Sequence, residues 1–288
     1  MIKAIKLMQL IQIHPLLWLV MAVSIATAHF LELSLMIAII FIHEMGHAVA
    51  AAFFSWRIKK IVLLPFGGVA EMDEHGNRPL KEEAIVVAAG PLQHIWMLGA
   101  AYVFYSLSWM PEQLYVLFFQ YNVMILLFNL FPIWPLDGGK MVFLLLSLKK
   151  PFPAAHKITL IVSFFCLIFF ALLIAMTALY HINVWVVIGF LCFSLYHEWK
   201  QRRYVFIRFL LERYYGKKSG PYSLKPIQAD EEELIIHVLE RFQRGCKHPI
   251  IVNGSGREQA MLDENEVLHA YFSDRRVSDK ISDLFFSY

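Results

Sequence analysis

Charge is scarce in this chain. Only 17% of its 288 residues are Asp, Glu, Lys or Arg, while 58% are hydrophobic and 15% aromatic. A soluble domain carries about 25% charge, so an ordinary water-soluble fold is excluded. Cysteine is scarce too. Cys166, Cys192 and Cys246 show no CxxC spacing, which leaves neither a disulfide framework nor a thiolate metal cluster. They read as apolar packing residues in a reducing compartment. The net charge is only +3, and no direct nucleic-acid partner is expected. A small-residue cleavage site after the first apolar run is also lacking, so that run reads as a retained span rather than a leader.

Long apolar runs are what the chain has. A helix needs about 20 residues to cross a hydrocarbon core, and six spans are predicted, near 12–30, 33–56, 83–108, 112–132, 157–179 and 183–199. Basic residues gather on the cytosolic side of short loops. Lys3 and Lys6, then Arg57, Lys59 and Lys60, then Lys149, Lys150 and Lys157, then Lys200, Arg202 and Arg203 all fall at one set of span ends. The opposite loops "AHFLEL", "SWMPEQ" and "YHIN" contain no Lys or Arg. An integral membrane protein with both termini in the cytosol is predicted. The expected fold is membrane all-α, with six transmembrane helices and a short β-hairpin or re-entrant element, followed by a small cytosolic α+β domain. The boundaries are 1–199 for the membrane domain, 200–221 for a basic linker and 222–288 for the cytosolic domain.

The segment "FIHEMGHAVA", residues 41–50, sets polar groups where lipid is expected. Glu44 is the only formally charged side chain from Leu33 to Trp56, and a charge at the bilayer centre costs about 2.5–3.5 kcal/mol. Residues four apart share a helix face. His43 and His47 can therefore meet one metal ion while Glu44 reaches its water, the HExxH pattern of zinc peptidases. Zinc favours two neutral imidazoles and a carboxylate with a fourth position open to water. Glu44 would be the general base. A third ligand is sought in "FNLFPIWPLDGGK", residues 128–140. There Pro132 and Pro135 break the helix and Gly138 and Gly139 allow tight turns, so Asp137 can be aimed at a cavity. The plain alternative is a helix end turning into a loop. Glu44 and Asp137 together balance one divalent ion.

HEMGH at 43–47 together with N-x-x-P and L-D-G-G at 129–139 resembles the site-2 protease family of intramembrane zinc metalloproteases. The resemblance spans about residues 30–145 and rests on two separated motifs. It implies that His43, His47 and Asp137 bind Zn²⁺, that Glu44 is the catalytic base, and that Asn129 positions substrate or the oxyanion. Two departures stand out. Pro135 falls one place later than in the family pattern, and "GPLQH" at 90–94 carries His94 where relatives often show Asn. His94 reads either as a polar partner facing the site or as a satisfied interhelical histidine. His14 and His29 read as interfacial.

"RIKKIVLLPFGGVAEMD", residues 57–73, carries two β-compatible runs around Pro65, Gly67 and Gly68. A hairpin there could pair with unwound substrate by strand addition, or simply cover the cavity. The segment 197–218 mixes Arg and Lys with aromatics at roughly helical spacing. It suits either a helix on an anionic leaflet or a helical linker packed on the cytosolic domain. Beyond it, helix at 230–245, strand at "HPIIVN", strand at "EQAMLD" and helix at "ENEVLHAYFSD" resemble a single CBS motif, which implies pairing between subunits. In CBS pairs that bind ATP, a Ser/Thr and an Asp meet phosphate and ribose. Here Asp263 and Glu266 stand in those places, so Glu266 is the candidate nucleotide contact and a structural dimerisation role is the alternative.

Six spans with a C-terminal CBS module resemble the CBS-bearing branch of the family. That branch's sporulation peptidase implies a sigma-factor precursor as membrane-associated substrate, membrane-protein inhibitors, and a location in the bacterial mother-cell membrane around the forespore. The competing function is a polytopic transporter or channel with a His/Glu proton relay and a CBS regulatory module.

Overall fold

The computed structural model describes residues 11–13, 15–64, 67–72, 78–177, 182–216, 223–253 and 260–287. The chain divides into two compact units, one drawn from residues 1–74, 81–141 and 163–192 and the other from 75–80, 142–162 and 193–288.

In the first unit, β1 (Ile11–Ile13) precedes α1 (Pro15–Ala26) and α2 (Phe30–Phe53). The predicted first span therefore opens as a strand. Proline lacks the N–H a helix interior needs and pushes its predecessor towards extended backbone, so Pro15 starts the helix instead of lying within it. His14 and Pro65 lie outside the described residues, and His29 pairs at the surface with Glu32. β2 (Ile58–Leu64) and β3 (Gly67–Met72) form the expected antiparallel hairpin. β1 adds to it in parallel, giving the order β1-β2-β3. The centre of the sheet is thus β2, already paired on both sides, and only the outer strands have an edge to offer.

Next come α3 (Leu80–Ser106), α4 (Glu112–Asn129), α5 (Asp137–Ser147), α6 (Phe152–Thr177) and α7 (Ile182–Tyr215). Among the described residues, three helices are long and apolar enough to cross a membrane: α2, α3 and α6. The other predicted spans fall on α1, α4 and the first half of α7. At 1.5 Å per residue, the 12 residues of α1 reach about 18 Å, short of a core about 30 Å thick. α7 runs unbroken for 34 residues through position 199, where the sequence suggested a linker. No proline or glycine interrupts residues 190–215, so nothing there stops a helix. Leu17, Ile39, Ile40, Met97 and Ile125 from α1 to α4 form a buried cluster next to the inward face of α2.

In the second unit, β5 (Ile227–Asp230), α8 (Ile235–Leu239), β7 (Ile250–Asn253), β8 (Ala260–Leu262) and α9 (Glu264–Phe272) follow the predicted helix–strand–strand–helix order with one strand in front. β5 is parallel and β8 antiparallel to the central β7, while β4 (Ser223–Leu224) pairs with β6 (Cys246–Lys247). The predicted helix at 230–245 shrinks to five residues because β5 ends at Asp230, residues 231–234 turn and bridge to Lys280, and the chain turns again after Leu239 on its way to β6. Buried Ile235, Leu239, Ile250, Val267 and Leu268 form its core. Arg213, near the end of α7, is bonded to the Glu264 carboxylate and to the carbonyls of Gln243 and Cys246. The Gln243 amide donates to the Leu148 carbonyl at 2.7 Å, satisfying an exposed acceptor just past the end of α5.

His248 is fully buried in this unit. Its Nε2 accepts the Gln243 N–H at 2.9 Å and its Nδ1 donates to the Lys225 carbonyl at 2.8 Å, so the neutral ring is fully used. Burial holds its pKa below the ordinary 6.5. Since the unfolded chain then binds the proton more readily, this contribution is complete above about pH 6.5 and is lost as pH falls below it. Protection of backbone amides in this unit, taken as the intrinsic exchange rate at each pH relative to the observed rate, should fall between about pH 7.5 and 5.5. The fall should be shallower in His248→Gln.

Candidate metal centre

Two stretches of chain far apart in sequence deliver three buried side chains to one point. His43 and His47 lie one turn apart on α2, at 2% and 5% exposure, with rings 4.8 Å apart and nearly perpendicular. Asp137, 3% exposed, is the first residue of α5. The two Nε2 atoms are 3.1 Å apart, and Asp137 Oδ2 lies 3.0 Å from each. Among the described residues this is the one group of His, Cys, Asp and Glu ligand atoms close enough to share an ion.

The second nitrogen of the His47 ring fixes which side of it is free to bind. His47 Nδ1 lies 2.7 Å from the Val86 carbonyl. A carbonyl only accepts, so Nδ1 carries the proton and the neutral ring turns a bare lone pair towards His43 and Asp137. Acceptors about 3 Å apart in an apolar interior repel unless positive charge stands between them. A tetrahedral zinc ion with bonds of about 2.0–2.1 Å sets its ligand atoms roughly 3.3 Å apart, a few tenths of an ångström from the spacing here. The residues fit the metal.

Local sequence makes this approach possible. After α4 the backbone turns irregularly through 130–136, with Trp134 N–H bonded to Ser163 Oγ at 2.9 Å. Gly138 and Gly139 are needed for space and not for turning. A Cβ on Gly138 would strike the Leu130 and Phe131 carbonyls, and one on Gly139 the backbone of Ile133 and Trp134. Gly90 on α3 sits where a Cβ would overlap the His47 ring, and Gly46 on α2 meets the Ala89 carbonyl. The two helices touch through their missing side chains.

The other predicted residues are placed as follows. Glu44 is 7% exposed on α2 between the two histidines. Asn129 ends α4 and donates Nδ2 to the Ile125 carbonyl at 3.0 Å, leaving a second N–H on the same amide. His94 satisfies both of its readings: Nε2 is 3.0 Å from His43 Nδ1, and Nδ1 is 2.8 Å from Asn122 Oδ1 on α4. Glu266 accepts the Asp263 N–H at 2.9 Å in a capping box, and Asp263 pairs with Lys247.

Lys140, Asn122 and the Val86 carbonyl were not anticipated. Lys140 Nζ lies 3.1 Å from Asp137 Oδ1, so one carboxylate oxygen faces the imidazoles and the other a cation. This adds a positive charge to a set that the sequence balanced with the metal alone. Its spacing of three from Asp137 is the helical signal that could have revealed it, and Asn122 announced itself as a polar residue inside an apolar run.

Comparison with known proteins agrees with this geometry. The model of peptidase family M50 matches residues 32–111 and 106–171. Stage IV sporulation protein FB of Bacillus subtilis is 48% identical over 287 residues, 99% of each chain. The chain belongs to peptidase family M50. A zinc metalloprotease of Methanocaldococcus jannaschii is 34% identical over 121 residues, 41% of this chain and 34% of its own. A solved site-2 protease from the same archaeon superposes with a TM-score of 0.52 at 26% identity, covering 65% of this chain and 89% of that one. This M50 protein is therefore a membrane metalloendopeptidase of the site-2 protease type, not a transporter. Both motifs quoted above lie inside the family match, which ends at residue 171 and leaves out residues 193–288.

Gly90→Ala should push the His47 ring aside and lower zinc affinity at least about tenfold in a chelator competition. Gly99→Ala, on the same helix with nothing within 4 Å of its Cβ position, should leave affinity unchanged.

Proposed function

We propose that His43, His47 and Asp137 hold zinc, that Glu44 is the general base, and that the enzyme removes the pro-sequence of a membrane-associated sporulation sigma factor near the cytosolic face. The observation that carries the ligand set is the triangle of Nε2, Nε2 and Oδ2 atoms 3.0–3.1 Å apart. The substrate assignment is supported by near full-length identity of 48% to a stage IV sporulation protein.

When bound, zinc supplies Lewis acidity to the scissile carbonyl and lowers the pKa of water to about 7. Glu44 takes the proton of the attacking water and returns it to the leaving amine. Lys140 holds Asp137 by its outer oxygen, which keeps the inner oxygen aimed at the imidazoles. Asn129 offers its remaining N–H to the oxyanion of the tetrahedral intermediate. Substrate unwinds and pairs with the free edge of β3, since β2 has no edge left.

The same reading places the enzyme in the mother-cell membrane around the forespore, with both termini cytosolic and membrane proteins as inhibitors. The C-terminal unit acts as a CBS-type module that pairs between subunits. ATP at that module is a further part of this reading, with Glu266 as its contact, a residue that lines a cavity of about 490 Å³ together with Tyr214, Asn265, His269, Asp274 and Arg276.

Glu44→Gln should retain about one zinc per chain yet lose about 10²–10⁴-fold in cleavage of a co-expressed precursor. Asp137→Ala should lose the zinc itself. Turnover near wild type in Glu44→Gln would remove the base assignment. Neighbouring N–H groups in a strand point to opposite sides, so of Val69→Pro and Ala70→Pro one breaks the inner ladder and the other only the outer edge. The outer variant should keep zinc and lose cleavage.

A further inference from the structure

We propose that His94 and Asn122 are positioning residues that set the proton on His43 and so make it a metal ligand. Both are fully buried, His94 on α3 and Asn122 on α4, and neither belongs to the motifs of the metal site. The proposal deepens the ligand assignment above and rests on it.

The chain of contacts runs Asn122 Oδ1, His94 Nδ1, His94 Nε2, His43 Nδ1, with separations of 2.8 Å and 3.0 Å. An amide oxygen only accepts, so it takes the Nδ1–H of His94. His94 Nε2 is then a lone pair, and it accepts the Nδ1–H of His43. That leaves His43 Nε2 as a lone pair turned to the triangle with Asp137 and His47. Each proton follows from the one before it, beginning with the direction of an amide on another helix.

The opposite sense is equally coherent and excludes metal. An amide turned by half a rotation would face His94 with its NH₂, move the His94 proton to Nε2, and leave His43 protonated on the nitrogen that should bind the ion. Asn122 Nδ2 is buried without a hydrogen-bond partner among the described residues. The amide has forgone its own donor bonds, which costs about 1–3 kcal/mol, in the orientation that presents its oxygen to His94. His47 needs no such relay, because the Val86 backbone carbonyl fixes its tautomer directly. His43 has a side-chain chain in that place.

The test uses the full-length protein in detergent and reads zinc affinity by chelator competition, with visible spectra of the cobalt-substituted form. His94→Leu and Asn122→Leu should each weaken zinc about 10–100-fold and alter the cobalt bands. His94→Gln and Asn122→Asp keep an acceptor at the same place and should stay within about threefold of wild type, less than half a decade. The double leucine variant should be no weaker than the worse single one, since both break one chain. Leucine variants that bind like wild type, or single effects that add in the double, would overturn the proposal. So would equal loss in all four variants that tracks a lowered unfolding temperature of the metal-free protein. Should the leucine variants fail to fold, nitrogen-15 spectra of wild-type histidines decide: Nδ1–H is expected on both His43 and His94, and an Nε2–H on His94 overturns the relay. His43→Ala separates the two levels. Retained zinc in that variant defeats the ligand assignment itself, whereas lost zinc there beside normal His94→Leu defeats only the relay.

Discussion

Lone pairs held 3 Å apart in an apolar interior need positive charge between them, and the arrangement of the first unit follows from that constraint. Two imidazole nitrogens and a carboxylate oxygen face one another at 3.0–3.1 Å. Each has a partner on its far side that prevents retreat: the Val86 carbonyl for His47, His94 for His43, and Lys140 for Asp137. Burial raises the cost of any unpaired member. The group is therefore arranged from outside, by contacts that a ligand motif does not contain.

Space is the second requirement, and it is met by leaving side chains out. Gly46 and Gly90 bring α2 and α3 close enough for a backbone carbonyl of one to reach a histidine ring of the other. Gly138 and Gly139 let α5 start against the irregular backbone that delivers Asp137. Small residues at helix contacts are what a membrane interior favours, since lipid gives no hydrophobic drive to press helices together. The outward faces show the complementary pattern: Phe165, Phe169 and Met176 on α6 are more than 60% exposed, a distribution suited to hydrocarbon and not to water.

Much of this was legible in the sequence because it is local. Period and apolar length announced α2, α3 and α6, and a four-residue spacing put His43 and His47 on one face. The β2–β3 hairpin followed from its turn residues, and the order of elements in the C-terminal unit from alternating runs. Where the sequence misled, a local rule was overridden by a partner out of its reach. The run at 12–30 was apolar enough to span, yet its first residues were taken as a strand by β2. The stretch at 230–245 had helical spacing, yet a bridge from Leu234 to Lys280 and turns on either side confine the helix to residues 235–239.

By itself, then, the sequence determined that this chain carries two histidines on one face of an apolar helix and that a broken helix some ninety residues later carries Asp137. Those facts depend only on residue type and spacing. Tertiary structure alone decided that Asp137 divides its oxygens between the imidazoles and Lys140, that β2 is the middle strand, and that Asn122 on α4 speaks to His43 through His94. Each of these is a meeting of side chains or strands from different elements, and which of two acceptors holds a proton is fixed by what lies beyond it in space, a relation no single stretch of sequence encodes.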